Sequence, residues 1–356
     1  MSLTVIKRNE IQDFIIYEIG NSEIYGQFKI SSVIEKYKVS EQTVYRYLRQ
    51  LAKQGRIIRT AQKSASNRYD YSLPDRQISF TLPLIGMKED IIWKERVAPE
   101  LKKMPTVAKE NCYYAFTEML NNAIDHSEGS LVKVDVRAND VRTFITIADD
   151  GIGIFNKIAD SLGLEEKRYA VLELAKGKFT TDPRSHTGEG IFFSSKVTDL
   201  FAIASDEITF MTDVLYSEEN PIFSEFLVDI HNEWKGEGTT VIFVVFNDRV
   251  KTIKEVFDEY TEQPDGYGFD KTSFSVKLLE YGDETALFMS RSQAKRLLSR
   301  IDRFKRIILD FSGIDTIGQG FADEIFRVFI NEHPDCVLTP INCSTDVEKM
   351  ISRVSI

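Results

Sequence analysis

The chain has 356 residues, 42% hydrophobic and 28% charged, with a net charge of −10 at pH 7. That length suggests two or three domains, and the balance reads as soluble and globular; the elements and resemblances given below imply an α+β multidomain chain. Cys112, Cys336 and Cys343 have neither metal spacing nor a disulfide framework, the four histidines are scattered, and the longest apolar run, 241–246, is far too short to span a bilayer. With no signal peptide legible, the expectation is a reduced, cytoplasmic setting and no membrane partner.

The charge is uneven. Residues 1–73 hold twelve Lys/Arg and seven Asp/Glu, a balance of +5, so the remainder carries −15. A basic head on an acidic body points to nucleic acid at the head alone. Ile11, Phe14, Ile15 and Ile19 give residues 8–19 helical spacing, stopped by Gly20-Asn21-Ser22. A short helix fits 31–38, capped by Ser31 or Ser32. After a turn at Val39-Ser40, Ser40-x-x-Thr43 opens a third helix over 42–54, closed by Gly55. Residues 57–59 and 69–73 read as paired strands around a polar loop. This order resembles a winged helix-turn-helix domain over residues 1–74. The resemblance implies DNA as partner, with Gln42, Thr43, Tyr45, Arg46 and Arg49 near bases or phosphates and Lys63 and Arg68 on the wing. A winged helix used only for protein contacts is the other reading.

A linker begins at Pro74, and a second domain is expected over 78–262. Residues 78–82 alternate like a strand, and a helix over 89–104 turns Ile91, Ile92, Trp93 and Val97 inward. The run 106–127 has no Gly or Pro. Cys112, Phe116, Met119, Leu120 and Ala123 form one buried face, while Glu118, Asn122 and Asp125 form a polar stripe at i, i+4 and i+7. Residues 131–137 and 141–147 alternate and read as a hairpin. Asp149-Asp150-Gly151-Ile152-Gly153 follows. A helix fits 165–176 and a loop 177–186, a length that suits a nucleotide lid. Thr187-Gly188-Glu189-Gly190 precedes a helix over 190–200. Strands at 201–212, 222–230 and 239–246 and a helix at 252–260 complete the domain, with Gly238-Thr239-Thr240 opening the last strand.

In this order and spacing, Glu118-x-x-x-Asn122-Ala123, Asp149-x-Gly151-x-Gly153 and Gly188-x-Gly190 resemble the N box and two glycine boxes of the GHKL, or Bergerat-fold, ATPases. The resemblance implies an α/β sandwich, a mixed sheet with helices on one face, that binds ATP with Mg2+. It assigns Asp149 to the adenine amine, with Thr239 in support, and Gly151 and Gly153 to close approach of base and sugar. Gly188 and Gly190 would hold phosphate oxygens at a helix N-terminus. Asn122 would be a metal ligand and Glu118 the general base. Asp-Asp-Gly equally suits a type I turn, and the stripe on 106–127 equally suits a solvated face. Asp125 and His126 stand near the site, and Lys176 and Lys178 are within reach of the γ-phosphate.

After a second linker at 263–268, a strand over 274–279, a helix over 292–304, a buried strand over 306–311 and a helix over 321–330 resemble a small STAS-like α/β domain, 272–356. Gly320 stands where such domains carry a phosphorylatable serine, and Ser312 and Thr316 are the nearby hydroxyls. The combined expectation is a slow Mg-dependent ATPase whose nucleotide state controls DNA binding or transcription. Its candidate partners are DNA, a STAS or other regulatory protein, and a second copy of the chain. Sensor histidine kinases usually have Asn at the place of Glu118, and no His-Glu-x-x-Pro helix is present. The alternatives are a Ser/Thr kinase of the anti-sigma type, which Glu118-x-x-x-Asn122-x-x-x-His126 also resembles, and a non-catalytic nucleotide-gated scaffold, for example in defence.

Overall fold

Long apolar spacing near the N-terminus produces helix α1 (Val5–Tyr25), which buries Ile11, Ile15, Ile16 and Ile19. These elements belong to a computed structural model that describes residues 5–25, 28–63, 69–179, 188–212, 238–262, 268–281 and 288–354. Helix α1 runs through Gly20 instead of stopping there. A Cβ on Gly20 would lie 2.9 Å from Val141 Cβ and 3.0 Å from Leu73 Cδ1, so glycine serves close packing here. Helix α2 (Ile30–Tyr37) ends on Lys38 in the left-handed region, φ 52°. Its expected serine cap does not form, because Ser32 Oγ donates to Glu18 Oε2 and Lys29 O, both at 2.8 Å. Ser40 does cap α3 (Glu41–Lys53), accepting from Thr43 N at 3.3 Å, and Val44, Tyr47, Leu48 and Leu51 are buried beneath. Strands β1 (Ile58–Lys63) and β2 (Tyr69–Ser72) then pair antiparallel.

The central part is built on β3 (Arg76–Pro83), α4 (Glu89–Ile92), α5 (Thr106–His126), β4 (Leu131–Ala138), β5 (Arg142–Asp149), α6 (Ile154–Leu162), α7 (Tyr169–Lys176), α8 (Gly190–Val197), β6 (Leu200–Ser205), β7 (Ile208–Met211), β8 (Thr240–Phe246) and α9 (Ile253–Tyr260). The sheet order is β3-β4-β5-β8-β6-β7, and every pairing among these six strands is antiparallel. This corrects the expected mixed sheet. The single strand expected over 201–212 is a hairpin, turned at Asp206 with φ 51°. The strand expected at 222–230 lies outside the described residues. Helix α4 passes into a π-helical turn, Trp93–Val97. The wider turn changes the helix phase, so Trp93 and Val97 are buried while Ile91, expected inside, is 42% exposed.

Period-2 alternation gives the sheet two apolar faces. One, with Ile145, Ile147, Val241 and Phe243, packs on Phe116, Met119 and Leu120 of α5. The other, with Phe144, Ala202, Ile242 and Val244, shares one cluster with Ile11, Ile15, Ile19 and Leu48. The helices expected on a single face are thus joined by the N-terminal helices on the other.

The C-terminal part has β9 (Lys271–Ser275), α10 (Arg291–Leu298), β10 (Arg306–Asp310), α11 (Gln319–Asp323), β11 (Val337–Ile341) and α12 (Thr345–Val354). Strands β9 and β11 both pair in parallel with β10. Helix α11 continues through a π-helical stretch, Glu324–Phe329, and buries Phe321, Ile325, Phe326 and Phe329.

Candidate functional site

Glu118 and Asn122 of the polar stripe on α5 face an open cleft of about 990 Å³, counting its mouth. Glu118, Asn122, Asp149, Gly153, Gly188, Gly190 and Thr239 all line it. Residues from one helix, the end of β5, the start of β8 and the start of α8 therefore meet at one place. Gly151 does not line the cleft. It packs on the carbonyl of Ser127, and its N–H donates to Asp149 Oδ1 at 3.0 Å. Thr187, part of the second glycine box, lies outside the described residues.

Asp149 closes β5 and is 6% exposed. The amides of Gly151 and Thr239, the latter at 3.2 Å, both donate to its Oδ1. Burial pushes this carboxyl up to about 6, and the two amides oppose the rise. Thr239 Oγ1 accepts from Ile154 N at 2.9 Å, so one residue fixes both Asp149 and the start of α6.

Glu118 and Asn122 are one turn apart on α5 and both face the cleft. Glu118 lies against the N-terminus of α8: a Cβ on Gly190 would collide with Glu118 Oε2. Glycine at 190 thus leaves the carboxylate room beside the amides that open α8. Asn122 Nδ2 has a sulfur contact with Met119 at 3.9 Å. No group of three or more His, Cys, Asp or Glu among the described residues could hold a metal alone. One amide oxygen suits an Mg2+ that brings water and nucleotide oxygens with it, which fits Asn122 as its protein ligand.

Asp125 is exposed on the last turn of α5, and His126 lines the cleft. The backbone carbonyl of His126 accepts from Lys157 Nζ at 2.7 Å, and Lys157 also pairs with Glu128 at 3.1 Å. Lys157 is a cleft lysine that the motifs do not mark; its signal was its place one turn after Gly153, at the start of an unforeseen helix. The two lysines expected near the γ-phosphate turn elsewhere. Lys176 is fully buried and donates to Glu173 Oε1 at 2.6 Å, Ser299 O at 2.9 Å and Arg296 O at 3.2 Å. Lys178 lies over the Phe304 ring, 4.7 Å from its centroid.

On α3, Gln42, Arg46 and Arg49 are exposed. Arg46 lies over the Tyr47 ring and Arg49 Nε donates to Tyr45 O at 3.3 Å. Thr43 is engaged with Ser40 at 3.0 Å, and Tyr45 is half-buried against the N-terminal cluster. The Lys63 side chain and all of Arg68 lie outside the described residues. Gly320 is on the first turn of α11, while Ser312 Oγ donates to Asp310 at 2.7 Å.

No curated protein matches the chain. Residues 293–348 match a STAS-like domain of unknown function, and residues 109–249 match the family of histidine kinase-, DNA gyrase B- and HSP90-like ATPases. Residues 109–249 are thus similar to GHKL ATPases, which supports nucleotide binding by the central part, and residues 293–348 are similar to a STAS-like domain.

Proposed function

We propose that the cleft hydrolyses ATP slowly and that the bound nucleotide controls how the N-terminal helices meet DNA. The observation that carries the chemistry is the placement of Glu118 and Asn122 on one face of α5, opposite the buried Asp149 and beside the opening of α8. Asp149 holds the adenine end by accepting from the exocyclic amine, which guanine lacks at that place. The amides that open α8 hold phosphate oxygens. A bound Mg2+, held by Asn122, would neutralise charge on those oxygens. Glu118 takes the proton of the water that attacks the γ-phosphorus, the bond to the ADP oxygen breaks, and ADP and inorganic phosphate leave.

The roles of Glu118 and Asn122 separate in kinetics. A general base acts in the transition state, so Glu118→Ala binds Mg-ATP like the parent and turns it over at least ~100-fold more slowly. Asn122→Ala weakens binding itself. Single-turnover hydrolysis of γ-labelled ATP reads both; equal rates for Glu118→Ala and the parent would remove the general-base role, and label on protein instead of free phosphate would select the kinase reading.

DNA binding rests on the +5 balance of residues 1–73 and on the exposed Gln42, Arg46 and Arg49 along one helix. The docking of this part on the outer face of the ATPase sheet supports communication between nucleotide and DNA.

A further inference from the structure

We infer that the STAS-like module forms part of the nucleotide site's support, with Arg303 as the positioning residue for the phosphate-binding glycines. This rests on the reading of the cleft as an ATP site. Arg303 lies in the connection between α10 and β10. It reaches out of its own module and donates from Nη1 to Lys178 O at 2.7 Å and from Nη2 to Gly177 O at 3.1 Å. Lys178 Nζ answers with a contact to Arg303 O at 3.4 Å. The guanidinium fork thus fixes two successive carbonyls, a geometry that a point charge cannot reproduce.

Those carbonyls lead directly into the cleft. The next residue, Phe179, lines it, and Gly188 rests on the Phe179 backbone: a Cβ on Gly188 would lie 2.5 Å from the Phe179 carbonyl carbon and oxygen. Gly188 is two residues before the start of α8. A line of direct contacts therefore runs from Arg303 through residues 177–179 to Gly188, at the phosphate end.

The other side of this loop is fixed to the same place. A Cβ on Gly177 would lie 2.9 Å from the Phe269 ring and 3.0 Å from Phe192 of α8. Phe269 packs on Phe192 at 4.5 Å between centroids and on Phe304 at 5.1 Å. Lys176 adds a third tie, its ammonium sitting on the carbonyls that end α10, where a cation is favoured. Among the described residues no comparable tie reaches Asp149, whose amide partners come from Gly151 and Thr239, just past β5 and just before β8. The module is thus coupled to the phosphate end of the cleft and not to the adenine end.

That asymmetry gives a test on the full-length chain. Calorimetry with Mg-ATP and with adenosine is run on the parent, Arg303→Ala and Arg303→Lys. Arg303→Ala should bind ATP about tenfold more weakly, because the loop under Gly188 loses its anchor, with adenosine binding unchanged. Arg303→Lys should recover part of the loss. ATP affinity unchanged in Arg303→Ala, or ATP and adenosine binding lost in parallel in both variants, overturns the inference and leaves Arg303 as packing between modules. A parent that binds neither ligand overturns the ATP-site reading instead, and the inference falls with it.

Discussion

Asp149 is where one side chain sets the behaviour of the site. Its carboxyl is raised to about 6 by burial, and in the proposed function the ionised form is the one that accepts from the adenine amine. As pH falls through 6 the carboxylate takes up a proton and loses that capacity. ATP affinity of the parent should therefore be about tenfold lower at pH 5 than at pH 7, since the ionised fraction changes by that factor. Calorimetric titrations across this range check it, and a flat profile would remove Asp149 as the titrating contact. The same shift acts on stability with the opposite sense. The folded carboxyl holds its proton more tightly than the unfolded one, whose value is 3.8. The stability it contributes is present below that value and is lost as pH rises through 6. Retaining Asp149 ionised near neutrality thus costs stability, as expected of a binding group kept out of water.

At the scale of elements, local period was readable and distant partnership was not. Helix α5 and the β4–β5 hairpin stand where residue spacing puts them, because their apolar faces repeat at 3.6 and 2. Helix α6 carries a signal too, in the i, i+3, i+4 spacing of Phe155, Ile158 and Ala159, but at nine residues it is too short to stand out from a loop. The strand order was beyond reach, since β5 pairs with a strand far along the chain, Arg142 opposite Phe246 and Ala148 opposite Thr240. So was the burial of Lys176, whose carbonyl partners lie beyond residue 295. Of the site, the motif residues Glu118, Asn122, Asp149, Gly153, Gly188, Gly190 and Thr239 were legible from order and spacing, whereas Lys157 and Arg303 belong to no motif. Gly20 shows a local rule overruled by packing. Read alone it is a helix stop, yet α1 continues because Val141 and Leu73 close on the bare Cα. Gly20→Val should destabilise the protein by roughly 1–3 kcal/mol through overpacking, against about 0.5 kcal/mol of helix propensity gained. Urea denaturation reads the difference, and a variant as stable as the parent would mean that α1 does not sit so closely on the sheet.

Across the whole molecule the three parts share cores. The N-terminal helices and the outer face of the ATPase sheet form one hydrophobic cluster, and the aromatic residues Phe192, Phe193, Phe269 and Phe304 join the ATPase to the STAS-like module. Removing residues 1–74 would uncover Phe144, Ile242 and Val244, so DNA binding belongs to a test on the complete chain. There, mobility shifts should show duplex binding that weakens steeply with salt, and Arg46→Ala or Arg49→Ala should each weaken it by roughly 1–3 kcal/mol if they reach bases. No shift at low salt would retire DNA as the partner. The proposed function requires that the cleft take adenine through Asp149. Titration calorimetry of the full-length parent and Asp149→Asn with Mg-ATP and Mg-GTP at pH 7.5 reads this directly. The parent should bind ATP in preference to GTP, and Asp149→Asn should keep its fold and lose ATP binding, because an amide cannot serve the adenine amine as a carboxylate does. Undiminished ATP affinity in Asp149→Asn would contradict it.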